Sequence, residues 1–340
     1  MRERRVKLSL LAALAIAIAG GTAVAQNINA AGATFPYPIY NRWFTEYAQA
    51  HPNVHINYQS IGSGGGIRQV SDGTVDFGAS DGPMTDDQLN HAKVKVMHIP
   101  TVLGAVVPVY NLPGVNKELN FSGDVIADIY LGKIQKWNDP RISKDNPGVN
   151  LPAHQILPVY RSDGSGTTYI FTDYLSKVNP EFASKVGKNT SVKWPVGIGQ
   201  KGNEGVAGMV RQAPYSFSYV ELIYALQNKM AFGQVKNAAG KFIKASPEGV
   251  TAAAAASAKN MPADYRVSIT NAGGDSSYPI SSFTWLLIPR QFSDPAKGRA
   301  VKDFLTWMLD KGESEAAGMG YAPLPAQVQT MVRKTITTIK

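Results

Sequence analysis

Four short segments of the chain share one composition: Ala33-Thr34-Phe35, Ile61-Gly62-Ser63-Gly64-Gly65-Gly66, Phe77-Gly78-Ala79-Ser80-Asp81, and RSDGSGTT over 161–168. Three of them precede a helical pattern. A helix start leaves backbone N–H groups unpaired and carries the positive end of the helix dipole. Glycine lets that backbone approach a ligand, and Ser and Thr add hydroxyl donors. The chemistry such segments suit is capture of a small oxyanion. Each also has a plainer reading: Ser63 or Ser165 could be an ordinary N-cap, and GSGGG a flexible loop.

Arg161 adds what the small residues lack. It stands four residues before Ser165, at the end of the apolar run 156–160. A cleft-facing guanidinium offers a fork that matches two oxygens of a tetrahedral anion. Asp163 is near enough in sequence to hold that fork; taken alone, the two could equally form a local ion pair.

Catalytic patterns do not emerge from the same residues. The histidines at 51, 55, 91, 98 and 154 form neither HExxH nor a paired metal spacing, and read as surface residues. Gly164-Ser165-Gly166 resembles a nucleophile elbow, but that pattern needs glycine where Asp163 stands. No general base is evident beside Ser165. GSGGGIRQ lacks the GK[ST] ending of a P-loop. No metal or cofactor is implied.

The elements that must carry these segments alternate between strand and helix patterns, the mark of an α/β fold. Residues 27–31 read as a strand, 36–50 as a helix with prolines in its first turn, and 54–61 as a strand. A glycine-rich loop is expected over 62–66, a helix from Ile67, and a short strand over 75–80. The stretch VMHIPTVLGAVVPVYNLP, 96–113, is apolar and β-branched. It is too long for an ordinary strand and too rich in proline for a helix. A strand running out of one lobe into another fits it. Val125, Ile126, Ile129, Tyr130 and Ile134 mark one later helix, and Ile170, Phe171, Tyr174, Leu175 and Val178 another. The alanine-rich run 252–258 is a helix segment. A return crossing is expected within 270–289, and the last helix over 295–311. Two crossings imply two lobes that hinge over a cleft: lobe I from 26–102 and 276–340, lobe II from 103–275.

The first 25 residues read as a cleaved export signal: a basic MRERRVK, an apolar LSLLAALAIAIAGG, and the small-x-small site Ala23-Val24-Ala25. Processing would leave Gln26 first. Beyond this segment there is no unbroken run of the ~18 apolar residues that a membrane span needs, so a multi-span membrane protein is excluded. The chain has no cysteine, hence neither a disulfide nor a thiol for a lipid anchor, and its core must suffice by itself. A periplasmic product is expected. Loss of four cations and one anion with the signal takes the net charge from +9 to +6. That charge could steer anions, but the lysines are scattered. No stretch combines clustered basic residues with aromatics, so nucleic acid is not an expected partner.

GATFPYPIY, YQSIGSGGGIRQV, DFGASDGPM, DIYLGKIQKWNDP, RSDGSGTTYIF, VKWPVGIGQKGNEGV and SYVE follow one another along the chain. In this order they resemble the periplasmic phosphate-binding protein of high-affinity phosphate ABC transporters, over nearly all of the chain after the signal. The resemblance implies a type II periplasmic-binding-protein fold: two α/β lobes joined by two crossing strands, with the ligand cleft between them. It implies inorganic phosphate as ligand, no cofactor and no catalysis. The implied partner is an inner-membrane permease with its cytoplasmic ATPase, served by a monomer. Phosphate contacts carry over to Thr34, Phe35, Ser63, Asp81, Arg161, Ser165, Gly166 and Thr167, with Asp163 bracing the arginine. Gly64 stands where the family commonly has serine, and Ser216-Phe217-Ser218 replaces a small, glycine-containing stretch before Tyr219.

In that set Asp81 carries the specificity argument. Phosphate near neutral pH keeps a proton that a carboxylate can accept. Sulfate has none and would set lone pairs against lone pairs. A site that depends on one buried hydrogen bond can reject an analogue lacking it by roughly 10⁴–10⁵. The remaining alternatives are a phosphatase and a binder of another oxyanion such as sulfate or molybdate.

Overall fold

The computed structural model describes residues 25–340, so the expected export signal lies outside the described residues except for Ala25. Strands β1 (Gln26–Gly32), β2 (Val54–Ser60) and β3 (Phe77–Ser80) alternate with helices α1 (Tyr37–Ala50) and α2 (Ser63–Asp72). β1 pairs in parallel with both β2 and β3, the pairing that helical crossovers produce. α1 turns Ile39, Tyr40, Trp43, Phe44 and Tyr47 to one face and buries them all. Against that face lies helix α7 (Pro295–Asp310), whose Phe304 ring is 5.3 Å from both Phe44 and Tyr47. Each such buried aromatic contributes on the order of 1.5–3 kcal/mol.

The expected crossing strand is β4 (Val96–Tyr110), continuous over 15 residues and buried along almost all of its length. Its two halves serve different neighbours. Residues 96–105 pair antiparallel with β8 (Ser281–Pro289), and residues 106–110 pair antiparallel with β7 (Ser216–Glu221). The switch falls between Ala105 and Val106. The returning chain crosses beside it: Val106 N–H donates to Ile280 O at 2.9 Å, and Tyr278 OH to Val106 O at 2.8 Å. β5 (Leu157–Arg161) and β6 (Ile198–Gln200) complete the path, giving the order β2-β1-β3-β8-β4-β7-β5-β6. This is a two-lobe α/β architecture with one strand passing through both lobes.

The second lobe is covered by α3 (Gly123–Tyr130), α4 (Gly166–Val178), α5 (Gly202–Gln212) and α6 (Pro247–Ala258). Its core is aromatic. Phe171 of α4 stacks on Tyr219 of β7 at 4.1 Å, and Tyr130 meets Phe171 edge-on at 5.4 Å.

Four expectations from sequence are corrected. Residues 63–66 are not loop but the first turn of α2. Glycine is there for proximity: a Cβ on Gly66 would lie 2.6 Å from both Ala79 O and Gly32 Cα, so only glycine lets the helix start sit on β1 and β3. The helix expected to be last is followed by α8 (Ala326–Ile336), which buries Val328, Val332 and Ile336 at a spacing of four. Ile134 is buried but lies beyond α3, after Gly132 turns the chain at φ 75°. His98 is buried in β4, where its Nε2 accepts from Met84 N–H at 3.0 Å; burial lowers its pKa to about 4.

Candidate anion-binding site

Arg161 is the last residue of β5, so its side chain leaves the sheet at the edge facing the cleft. It is 4% exposed. Nε donates to Asp163 Oδ1 at 2.7 Å and Nη2 to Asp163 Oδ2 at 2.6 Å, a two-pronged pairing that fixes the guanidinium plane. Gly202 N–H supports the same carboxylate at 3.1 Å. Burial works against the Asp163 charge, but the bonds from Arg161 outweigh it and hold that carboxyl below its ordinary range. Below the guanidinium, Tyr219 OH accepts Arg161 N–H at 3.3 Å and shares a 2.6 Å bond with Thr168 Oγ1. The guanidinium edge opposite Asp163 faces across the cleft. There Nη1 donates to Thr34 Oγ1 at 3.1 Å, with Thr167 Oγ1 at 3.5 Å.

Thr34 and Phe35 lie between β1 and α1. Thr34 is held from the other lobe by Tyr224 OH, which donates to its carbonyl at 2.6 Å. Phe35 presents its backbone beside Thr34 while its ring is buried, and its carbonyl accepts from Tyr321 OH at 2.7 Å. Ser63 begins α2, directly after Gly62 at φ 90°. Its Oγ accepts from Asp81 N–H at 3.2 Å and lies 3.4 Å from Asp81 Oδ2.

Asp81 follows β3 and is 1% exposed. Oδ1 accepts from Thr284 Oγ1 of β8 at 2.8 Å. Burial pushes its carboxyl up to about 7, although the Thr284 bond, the Arg161 charge and the Ser63 bond oppose the rise. Oδ2 points across the cleft at the mouth of α4. A Cβ placed on Gly166 would collide with Asp81 Oδ2 and sit 2.5 Å from Ser63 Oγ.

At the α4 mouth the structure shows Ser165 as the N-cap. Its Oγ is an N-cap, accepting from Thr168 N–H at 3.1 Å, which leaves the hydroxyl proton free to donate. Its backbone N–H is engaged by Thr190 O at 2.7 Å, so only the hydroxyl can serve a ligand. Gly166 and Thr167 occupy the first two helical positions, where N–H groups have no acceptor one turn earlier. The lobes meet here: Gly64 N–H donates to Gly164 O at 2.9 Å, and a Cβ on Gly64 would be 3.1 Å from Gly164 Cα. Glycine in place of the family's serine thus lies on the interlobe contact.

Thr34, Ser63, Asp81, Arg161, Ser165, Gly166 and Thr167 therefore face one another, with Phe35 adjoining and Asp163 behind. Two lobes supply hydroxyls, helix-start N–H groups and one guanidinium, against a single proton-accepting carboxylate. Such a set suits a tetrahedral oxyanion that carries a proton. Among the described residues, no cluster of three or more His, Cys, Asp or Glu side chains could hold a metal ion.

The sequence reading missed Asn203, Thr284, Tyr219 and Glu221. Asn203 is wholly buried on α5, and Nδ2 donates to Thr34 Oγ1 at 2.8 Å and Thr167 Oγ1 at 3.0 Å. Glu221 is wholly buried at the end of β7, where burial raises its carboxyl well above the ordinary range and Oε1 finds no hydrogen-bond partner among the described residues. The one available signal was an asparagine at the start of the helical pattern in KGNEGV.

This architecture and site define a two-lobe binding protein for a small oxyanion, and comparison with known proteins narrows the class. A model of the PBP superfamily domain matches residues 17–311. The phosphate-binding protein PstS of Pasteurella multocida is 46% identical over 95% of this chain and 93% of its own length. That of Xylella fastidiosa (strain Temecula1) is 47% identical over 88% and 81%. A phosphate ABC transporter substrate-binding protein from Clostridium perfringens, solved with bound phosphate, superposes with a TM-score of 0.65 at 17% identity, covering 88% of this chain and all of that one. The chain belongs to the PBP superfamily and, within it, to the family of these PstS phosphate-binding proteins.

Proposed function

We propose that the chain binds inorganic phosphate in its interlobe cleft and delivers it to an ABC permease for import. Close relatives named as phosphate-binding proteins support this reading, and it is a binding role rather than a catalytic one. The observation that carries it is the pairing of Arg161 with Asp81 in one buried cage: a fixed cation for an oxyanion, and an acceptor for the proton that phosphate keeps and sulfate lacks. The contacts are Thr34, Phe35, Ser63, Asp81, Arg161, Ser165, Gly166 and Thr167, with Asp163 holding the arginine.

Lobe I comprises 26–102 and 276–340, and lobe II comprises 103–275. The change of partner along β4 after Ala105 and the return beside Val106 support this division. An anion that touches both lobes stabilises the closed arrangement by its differential affinity for it. The protein acts in the periplasm, as a monomer, and docks on an inner-membrane permease driven by a cytoplasmic ATPase. Consistent with that, no helix among the described residues is long and apolar enough to cross a membrane.

Calorimetric titration of the 26–340 protein, stripped of bound anion, tests the reading with phosphate and then sulfate at matched ionic strength. One-to-one binding of phosphate and no heat from sulfate is the expected result. Binding of both would keep the cage and refute the role of Asp81. Binding of neither would refute the function.

A further inference from the structure

The hydroxyls of Thr34 and Thr167 can each either accept or donate, and an anion needs them to donate. Their direction follows from groups that have no choice. The backbone N–H of Glu221 can only donate, and it meets Asn203 Oδ1 at 3.1 Å. That contact fixes which end of the amide is oxygen. Nδ2, with two hydrogens, therefore faces the other way, toward Thr34 Oγ1 at 2.8 Å and Thr167 Oγ1 at 3.0 Å. Both hydroxyls must accept from it. Arg161 Nη1, also a donor only, lies 3.1 Å from Thr34 Oγ1 and 3.5 Å from Thr167 Oγ1. Thr34 thus has both lone pairs engaged, with the Asn203 backbone N–H a third and more distant donor at 3.4 Å, and Thr167 has one engaged closely and the other at the limit of reach. What each hydroxyl has left to offer is its proton.

We infer that Asn203 is a positioning residue that commits the Thr34 and Thr167 hydroxyls, one from each lobe, to donating toward a phosphate oxygen. The inference rests on the phosphate reading above. Asn203 acts through the two threonines, and it is wholly buried, so water does not compete for its amide. Because Thr34 comes from the other lobe, the same amide ties hydroxyl direction to lobe closure. An isosteric carboxylate would reverse the arrangement. Aspartate at 203 still accepts from Glu221 N–H, but it would take the hydroxyl protons for itself and set a negative charge behind them.

The test is phosphate titration of wild type, Asn203→Ala, Asn203→Asp, Thr34→Val/Thr167→Val, and the triple variant with Asn203→Ala, with thermal melts of each ligand-free protein. Asn203→Ala should weaken phosphate binding about tenfold, the scale of one lost hydrogen-bond preference. Asn203→Asp, which preserves shape and the Glu221 contact, should weaken it by more than about a hundredfold. In the double-valine background Asn203→Ala should change affinity by less than about twofold, since no hydroxyls remain to be directed. An equal loss in both backgrounds would overturn the inference and leave Asn203 a packing residue. If Asn203→Ala fails to fold, Asn203→Asp decides: affinity like that of wild type overturns the inference. Wild-type protein that takes up no phosphate overturns the phosphate reading and this inference with it, whereas wild-type binding with an indifferent Asn203→Asp overturns this inference alone.

Discussion

Replacement of Asp81 by asparagine isolates the proton test. Asp81 Oδ1 is occupied by Thr284 Oγ1 at 2.8 Å, so Oδ2, aimed at the mouth of α4, is the oxygen left for a ligand. An ionised carboxylate only accepts, and so favours an anion that can donate. Rejection by one buried hydrogen bond on the scale of 10⁴–10⁵ corresponds to about 5.5–7 kcal/mol between phosphate and sulfate. With Asp81→Asn, the amide Nδ2 can donate to a sulfate oxygen. Phosphate then loses one charge-assisted bond, about 1.5–3 kcal/mol, while sulfate loses its repulsion. The ratio of affinities should fall by at least about a hundredfold, mainly through a gain in sulfate binding. Paired calorimetric titrations at pH 8 read both numbers. An unchanged ratio would refute the reasoning, as would a variant that loses both anions equally. Wild type should show the same effect through pH. Burial holds the Asp81 carboxyl at about 7, so below that pH it is protonated, can donate, and should discriminate less against sulfate. For folding of the empty protein the sign is fixed too. The folded state holds this proton between the ordinary 3.8 and about 7, so the group's contribution to stability falls as pH rises through that window.

Arg161→Ala removes the guanidinium of the cage and leaves Asp163 without its ion-pair partner; phosphate affinity should drop well over tenfold, and a smaller drop in titration would exclude the arginine from the cage. Gly166→Ala places a methyl against Asp81 and within 2.5 Å of Ser63 Oγ, so the lobes cannot close as described. Its ligand-free melting temperature should match wild type while phosphate binding falls more than about tenfold; unaltered affinity would mean that this approach is not part of binding. Glu313 is buried, its Oε1 has no hydrogen-bond partner among the described residues, Oε2 accepts from Leu324 N–H at 2.9 Å, and burial raises its carboxyl to about 8. Its ionisation costs stability as pH rises from the ordinary 4.5 through 8, so Glu313→Gln should stabilise the protein at pH 9 by on the order of 2–4 kcal/mol and hardly at all at pH 5. Thermal melts at the two pH values check the sign.

What could be read in the sequence was what lies close along the chain. Arg161, Asp163, Ser165, Gly166 and Thr167 lie within seven consecutive positions at a strand end and helix start, and their local chemistry already outlines half of the cage. β4 was legible because no ordinary strand is so long. Ser63 and Asp81 were visible as types, but that they meet Gly166 depends on how two lobes close, which no local pattern encodes. Asn203 reaches Thr34 across 169 residues and Thr284 reaches Asp81 across 203, and each is an unremarked polar residue in its own segment. The glycine run was misjudged for a physical reason. Low helix propensity predicts a loop, whereas close packing of α2 on β1 and β3 overrides it. His98 was misplaced on the surface although it sits in the apolar crossing strand, where a neutral imidazole needs one donor and finds Met84 N–H.

The most direct test of the cage is a crystal structure of the stripped protein grown with phosphate. The account predicts one tetrahedral anion between the lobes, with an oxygen within about 2.5–2.7 Å of Asp81 Oδ2 and others within hydrogen-bond reach of Arg161, Ser63, Ser165, Thr167 and the Thr34 hydroxyl. Phosphate bound elsewhere, or bound there with the Asp81 carboxylate turned away from it, would contradict the account.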